Sequence, residues 1–224
     1  MATRTRWPAC IPGWISERIT SGTMPVPIKV LKPAVFLLCL VPLAALIWAI
    51  VYHPETFSAD PYADITDRTG DWTLRFVLIT LTITPLRQIS GWNGAVRFRR
   101  MLGLFAFFYG IVHFLSYVWF TVFFDIQKIT EDVLKRPFIT VGFVAFVLMI
   151  PLAITSTKKW ISRLGGKRWQ FLHKAVYITG ILGVIHYIWR VKSDIQNPLI
   201  YATLLTLLLG YRLWHKFRTV SVVR

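Results

Sequence analysis

The sequence predicts an all-α integral membrane protein, a bundle of six transmembrane helices with both termini in the cytoplasm. First, 55% of the 224 residues are hydrophobic and the mean hydropathy is +0.54, which is too apolar for a soluble domain of this length. Second, six apolar runs each approach the ~20 residues that a helix needs to cross a bilayer. Third, basic and acidic loops alternate along the chain, as in polytopic membrane proteins.

The six runs define one membrane domain, residues 33–214, with a short polar segment on each side. The predicted spans lie near residues 33–52, 72–89, 101–124, 138–155, 170–189 and 198–214. Residues 1–32 are polar and contain four prolines, which predicts a disordered cytoplasmic leader, and Met24 is an alternative start. Residues 215–224 form a basic cytoplasmic tail.

The charged residues set the predicted orientation, because Lys and Arg near span ends stay in the cytoplasm. Basic residues cluster in the leader, in the second-to-third and fourth-to-fifth connections and in the tail. Nine of the ten acidic residues lie in the remaining loops. The formal net charge of +16 is therefore an orientation signal, and it argues against nucleic-acid binding. The two cysteines, Cys10 and Cys39, provide neither a disulfide framework nor a C-x-x-C site.

Three histidines inside predicted spans are the main candidates for function. A polar side chain at membrane depth costs free energy and usually marks function, although an interhelical hydrogen bond explains any single one. At a rise of ~1.5 Å per residue, His113 lies roughly 18 Å, His186 roughly 24 Å and His173 roughly 5 Å from the cytoplasmic end of its span. His113 and His186 therefore share the outer half of the membrane. Such a pair can bind heme iron from two helices through neutral imidazole nitrogens.

The histidines of the fifth span do not share one helix face. Thirteen residues separate His173 from His186, so on an ideal helix they point about 140° apart. Either the helix tightens near Gly180 and Gly183, or the two imidazoles have different neighbours.

Several basic residues near these histidines are candidate ligands for anionic groups. At the outer side, Arg75 and Arg190 can meet heme propionates, although Arg75 can equally extend to lipid phosphates. At the inner side, basic groups suit a flavin phosphate, and the positive-inside rule explains them equally well. These inner candidates are Arg99, Arg100, Lys167 and Arg168.

Four stretches of the chain resemble the MsrQ (YedZ) family, within the ferric-reductase-like transmembrane group. Members are heme-binding membrane subunits of a bacterial periplasmic protein-methionine-sulfoxide reductase system. The stretches are ADPYADITDRTGDWTLRFVLITLTITPLR (59–87), RFRRMLGLFAFFYGIVHFLSY (97–117), TSTKKWISRLGGKRWQFLHKAVYITGILGVIHYIW (155–189) and NPLIYA (197–202). The match covers nearly all of residues 30–215.

The resemblance implies a function and cofactors. It implies heme b, with flavin mononucleotide (FMN) as a further cofactor, and it places the heme-iron ligands at His113, His173 and His186. Electrons would come from quinol or a cytoplasmic flavin reductase. They would pass through the bacterial inner membrane to MsrP, a periplasmic molybdenum-cofactor subunit. Because sulfoxide reduction takes place on that partner, this multi-pass chain would serve as an electron-transfer subunit for the repair of oxidised proteins.

One feature departs from the ferric reductases, which carry two histidines on each of two helices. The third span here has only His113, and Arg100 stands thirteen residues before it. A second heme at His173 would need another ligand, or a flavin would occupy that level. Two other functions stay open. One is a ferric reductase or quinol-linked b-type cytochrome with another acceptor, and the other is a non-redox protein whose histidines join helices.

Overall fold

The protein is all α-helical over the residues that the computed structural model describes, 28–191 and 195–221, which confirms the predicted class. Most of the predicted leader, residues 1–27, lies outside the described residues. In those described ranges the helices are α1 (Ile28–Tyr52), α2 (Pro61–Ser90), α3 (Val96–Phe120), α4 (Ile126–Lys135), α5 (Pro137–Ile154), α6 (Lys158–Leu164), α7 (Gly166–Leu172), α8 (Ala175–Arg190) and α9 (Gln196–Ser221). Two 3₁₀ turns, Pro54–Thr56 and Asn93–Ala95, precede α2 and α3.

Four helical segments in the described part of the chain are long and apolar enough to cross a membrane. They are Ile28–Tyr52, Asn93–Phe120, Pro137–Ile154 and Gly166–Arg190. The two other predicted spans fall on α2 and α9, which have 30 and 26 residues but carry more polar side chains. The six-span topology with cytoplasmic termini therefore stays a prediction.

Local sequence signals explain where α2 begins and ends. The carboxylate of Asp60 accepts a hydrogen bond from the Ala63 N–H at 3.1 Å, and Pro61 follows it at the first helical position, where a missing N–H costs nothing. Gly91 ends the helix with a left-handed φ of 69°, which favours glycine. The helix therefore starts eleven residues before the predicted span, and its first turns carry Asp64, Asp67 and Asp71.

The bundle is built from two closely packed helix pairs, α2 with α3 and α5 with α8. The core between α2 and α3 includes Leu81 and Tyr109, which are 0% and 1% exposed. Contacts between α3 and α5, and between α2 and α8, join the two pairs. The four helices enclose the space into which His113 and His186 project.

The helix α1 packs loosely against this bundle, with Cys39 and Leu46 as its buried residues. Its internal Pro42 lacks an N–H and disturbs the helix. The hydroxyl of Tyr109 bonds to the backbone of α1 at this point. It donates to the Cys39 carbonyl at 2.9 Å and accepts from the Leu43 N–H at 3.1 Å. One phenol thus satisfies two backbone groups that an undisturbed helix would pair with each other.

The predicted fifth span is interrupted at His173 and Lys174, between α7 and α8. Both residues keep helical φ angles, but their ψ angles are −6° and −18°, typical of a tightened turn. The Lys174 N–H accordingly bonds to the Phe171 carbonyl, three residues back. The chain therefore tightens at His173 itself and not near the glycines of α8, and the two histidines of this segment have different neighbours.

Candidate functional site

The imidazoles of His113 on α3 and His186 on α8 lie side by side. Their ring centroids are 6.1 Å apart and their planes meet at 77°, and both residues are partly buried. The structure thus brings together the pair that the depth estimate placed at one level.

Each of these imidazoles is held by a backbone carbonyl of a neighbouring helix. His113 Nδ1 lies 2.8 Å from the carbonyl oxygen of Thr66 on α2, and His186 Nδ1 lies 2.7 Å from that of Phe138 on α5. A carbonyl oxygen only accepts, so each Nδ1 carries the proton and donates it. In the neutral form of each ring, Nε2 then keeps its lone pair for a metal, the usual arrangement for a ligating histidine.

A glycine on the neighbouring helix faces each ring. A Cβ added to Gly70 on α2 would lie 2.9 Å from His113 Cε1, and one added to Gly142 on α5 would lie 2.6 Å from His186 Nδ1. Both distances are shorter than packed carbon contacts allow. Each imidazole therefore occupies space that any larger residue at the facing position would take.

The two histidines line a cavity of about 380 Å³, within the usual ~300–1,000 Å³ range of small-molecule sites. One wall is aromatic, where the rings of Phe114 and Phe146 stack at 5.0 Å. Gly110 and Gly183, each three residues before a histidine, also line it. A flat apolar macrocycle suits such walls, because small and aromatic side chains leave broad surfaces.

Charged residues line the same cavity at the ends of α5 and α8. Arg190 pairs with Asp67 at 2.6 Å, and Arg136 pairs with Asp132 at 3.0 Å. Both arginines line the cavity, so either guanidinium can exchange its carboxylate partner for a propionate. Sequence reasoning missed Arg136, because the end of a short loop helix gives no sign of facing a site.

Arg75 does not line the cavity between the histidines. Its Nε donates to the Tyr201 hydroxyl at 2.7 Å, its Nη2 lies 3.4 Å from Asp71, and its guanidinium lies 4.7 Å from the ring centroid of Trp72. It faces a second cavity on the α1 side of α2.

His173 has a separate environment at the other end of the fifth span. Its Nε2 lies 3.1 Å from Thr155 Oγ1, and that hydroxyl donates to the Pro151 carbonyl at 2.6 Å. The hydroxyl proton is thus engaged, so His173 Nε2–H donates to Thr155. The indole of Trp169 stacks on the imidazole at 4.0 Å. His173 therefore carries its proton on Nε2, whereas His113 and His186 carry theirs on Nδ1. In this structure His173 makes an interhelical hydrogen bond.

Among the four inner basic candidates, the structure brings Arg99 to His173. The guanidinium of Arg99 lies within electrostatic range of both His173 and Arg212. Arg100, Lys167 and Arg168 are exposed.

Comparisons with known proteins show what the chain is similar to. Residues 69–184 match the family described as ferric reductase like transmembrane component. The heme-binding subunit MsrQ of protein-methionine-sulfoxide reductase from Herminiimonas arsenicoxydans is 49% identical over 203 residues, 88% of this chain and 92% of that protein. Subunits with the same name from Azospira oryzae and Ralstonia nicotianae are 49% and 46% identical, covering 89% and 87% of this chain and 85% and 89% of their own lengths.

The chain belongs to the MsrQ family. The resemblance read from the four sequence stretches is therefore confirmed, and the ferric-reductase-like match spans residues 69–184, which include His113 and His173 and end two residues before His186. The names of these MsrQ relatives state that they bind heme.

The histidine pair suits a heme by its donor set and spacing. Two imidazoles that bind one metal ion from opposite sides through bonds of about 2 Å have ring centres roughly 6 Å apart. The observed 6.1 Å agrees with that spacing. In the described ranges no group of three or more His, Cys, Asp or Glu side chains converges into a site for a bare metal ion. A heme needs fewer protein ligands, because the porphyrin nitrogens already bind its iron.

Proposed function

We propose that this protein is a heme b electron-transfer subunit of the bacterial inner membrane that delivers electrons to MsrP, a periplasmic molybdenum-cofactor methionine sulfoxide reductase, for the repair of oxidised periplasmic proteins. One observation carries the proposal: His113 and His186 stand 6.1 Å apart, with both Nδ1 atoms fixed by carbonyls. Membership of a family whose relatives are named as heme-binding subunits supports it.

The residues around the pair prepare the site for heme, which supplies a one-electron carrier when bound. The carbonyls of Thr66 and Phe138 fix the tautomer and ring orientation of both ligands. The aromatic wall would keep water from the faces of a bound heme. A dry site favours the reduced heme, because it carries less net charge. Arg190 and Arg136 offer positive charge to the propionates.

The inner side of the protein is the proposed location of FMN. Arg99 near His173 offers a positive charge for the flavin phosphate, and Arg100, Lys167 and Arg168 add exposed positive charges. A cytoplasmic flavin reductase or quinol would supply the electrons.

The heme proposal is tested by absorbance of purified variants. We expect His113→Ala and His186→Ala each to lose the low-spin heme spectrum per mole of protein, because each removes one of the two imidazoles that would hold the heme iron. His173→Ala should keep the spectrum of the outer heme. His53→Ala is a matched control, since that imidazole pairs with Glu55 in an exposed loop. An unchanged spectrum in both His113→Ala and His186→Ala would contradict the proposal.

The ferric-reductase-like match favours a second candidate function, a ferric reductase or quinol-linked b-type cytochrome with another acceptor. The two functions differ in what reoxidises the reduced protein. MsrP couples two electrons and two protons to each sulfoxide, yielding thioether and water. We expect rapid reoxidation by MsrP with methionine sulfoxide and slow reoxidation by a ferric chelate. The reverse order would favour the second function.

A further inference from the structure

A larger cavity, of about 780 Å³, lies on the opposite side of α2 from the histidines, between α1, α2 and α3. Its walls are mostly aliphatic and aromatic, including Val35 and Ala45 of α1 and Phe76 and Ile79 of α2. The loose packing of α1 leaves this space, since only Cys39 and Leu46 of that helix are buried. A gap of this size beside a membrane span is accessible to lipid-soluble molecules.

One end of this cavity is polar. Arg68, Asp71 and Arg75 line it together with the indole of Trp72. Asp71 accepts a hydrogen bond from the Tyr187 hydroxyl and lies 3.4 Å from Arg75, and its side chain is 24% exposed. The lining therefore suits an amphiphile, because apolar residues form most of the wall and a few polar residues form one end.

The polar end adjoins the histidine cavity. Asp71 lines both cavities, and Gly70, the residue before it, packs on the ring of His113. Only the thickness of α2 separates a headgroup at Asp71 from the histidine pair, a distance on the order of 10 Å.

The groups at this end favour a neutral headgroup with hydroxyl donors over a phosphate. Arg75 contacts Asp71 and Tyr201, and Arg68 contacts the Thr56 carbonyl at 3.2 Å and the Phe57 ring at 4.7 Å. The carboxylate of Asp71 repels a phosphate and accepts from a hydroxyl.

We propose that this cavity binds an isoprenoid quinol, with its ring at the Asp71 end and its chain along α1, and that Asp71 accepts one of its protons. The proposal rests on the proposed heme function. As the quinol becomes quinone, its two O–H bonds break and two electrons leave. One proton goes to the Asp71 carboxylate and the other to water. A heme held by His113 and His186 would accept the two electrons one at a time, and it would pass the first to its acceptor before it takes the second. The quinol site then lies beside the histidine pair, away from the inner basic cluster.

Photolabelling tests the binding site independently of electron transfer. The purified protein, with and without heme, is irradiated with an azidoquinone carrying a short isoprenoid chain, and labelled peptides are mapped by mass spectrometry. We expect label on the α1 and α2 segments that line the cavity in both preparations. Ala45→Trp, which fills the cavity from α1, should lower labelling at least tenfold. Ala44→Trp is the matched control, because Ala44 is a neighbouring alanine of α1 that does not line the cavity.

Three results would overturn the quinol site. They are label on other segments, equal labelling of both tryptophan variants, and displacement of the label by excess phosphatidylglycerol. The last result would identify the cavity as a phospholipid site.

Stopped-flow reduction of the heme by decylubiquinol tests the role of Asp71. Asp71→Asn should bind the azidoquinone but reduce heme at least tenfold more slowly, with dithionite reduction unchanged. An unchanged quinol-driven rate would remove Asp71 from the proposal. Absence of a heme band in the wild-type protein would instead refute the proposed function, and the labelling of heme-free protein would still decide the site.

Discussion

At the scale of single residues, Gly142 controls the position of His186. A Cβ at position 142 would lie 2.6 Å from Nδ1 and 2.8 Å from Cε1 of the imidazole. The ring must then move, and its hydrogen bond to the Phe138 carbonyl breaks. We expect Gly142→Ala to weaken heme binding roughly 10–100-fold, as for the loss of other groups that orient metal ligands. Heme retention per mole of purified protein measures this.

Gly103→Ala is the matched control for this substitution. Gly103 is also helical, but its added Cβ would meet Thr80 Cγ2 at 3.7 Å, an ordinary contact. We expect normal heme content there. Equal heme content in Gly142→Ala and wild type would show that the glycine does not set the ring position.

The residue scale also shows what side-chain patterns can and cannot predict. His113 and His186 stand out because imidazoles are rare in apolar spans, and helical rise places them at one depth. Their orienting partners are the carbonyls of Thr66 and Phe138, and every residue has a carbonyl, so no sequence signal identifies them. The opposite tautomer of His173 depends in the same way on a threonine eighteen residues away.

At the scale of elements, an arginine of α9 donates a hydrogen bond to a backbone carbonyl of α2 that a proline leaves without its helical partner. Pro85 has no N–H, so the Leu81 carbonyl, four residues earlier, loses its helical partner. Arg212 Nη2 donates to that carbonyl, and Nη1 donates to the Tyr177 hydroxyl. Because Leu81 is 0% exposed, water cannot replace the arginine.

A double-mutant cycle tests this hydrogen bond. Arg212→Leu should lower the free energy of unfolding by roughly 1–3 kcal/mol, the cost of a buried unsatisfied carbonyl. In a Pro85→Ala background the backbone N–H gained at position 85 bonds to the Leu81 carbonyl directly, so the same substitution should cost less. We expect a coupling of about 0.5–3 kcal/mol, measured by denaturant unfolding in mixed micelles. Equal costs in both backgrounds would contradict the pairing of Arg212 with the proline-freed carbonyl.

The elements also show why the helix bounds differ from the predicted spans. Hydropathy predicts only the apolar part of a helix, whereas α2 begins at a cap, Asp60 with Pro61, well before its apolar run. The short α4 appears for the same reason, since Asp125 accepts hydrogen bonds from the Gln127 and Lys128 N–H groups. The interruption at His173 follows from tertiary contacts with Thr155 and Trp169, which no local pattern predicts.

At the scale of the whole molecule, the charge distribution and the packing of α2 and α9 support the same topology. Nine of ten acidic residues lie in segments predicted to be on the periplasmic side. The helix α2 packs in the core between α3 and α8, and α9 packs on α2 and α8. Polar side chains lower the hydropathy of both helices, and neighbouring helices cover part of those side chains. A helix shielded in this way can cross the bilayer without a uniformly apolar sequence.

Cysteine labelling in spheroplasts tests whether α2 and α9 cross. In a chain without Cys10 and Cys39, Glu55→Cys and Arg97→Cys bracket α2, and Ile195→Cys and Lys216→Cys bracket α9; all four positions are exposed. Because acidic loops face outward and basic loops inward, a membrane-impermeant maleimide should label positions 55 and 195 in intact spheroplasts, and positions 97 and 216 only after permeabilisation. Labelling of both members of a pair from the same side would show that the helix between them does not cross. For the α2 pair, that result would also place the candidate quinol and heme cavities beside a helix at the membrane surface, because α2 lines both of them.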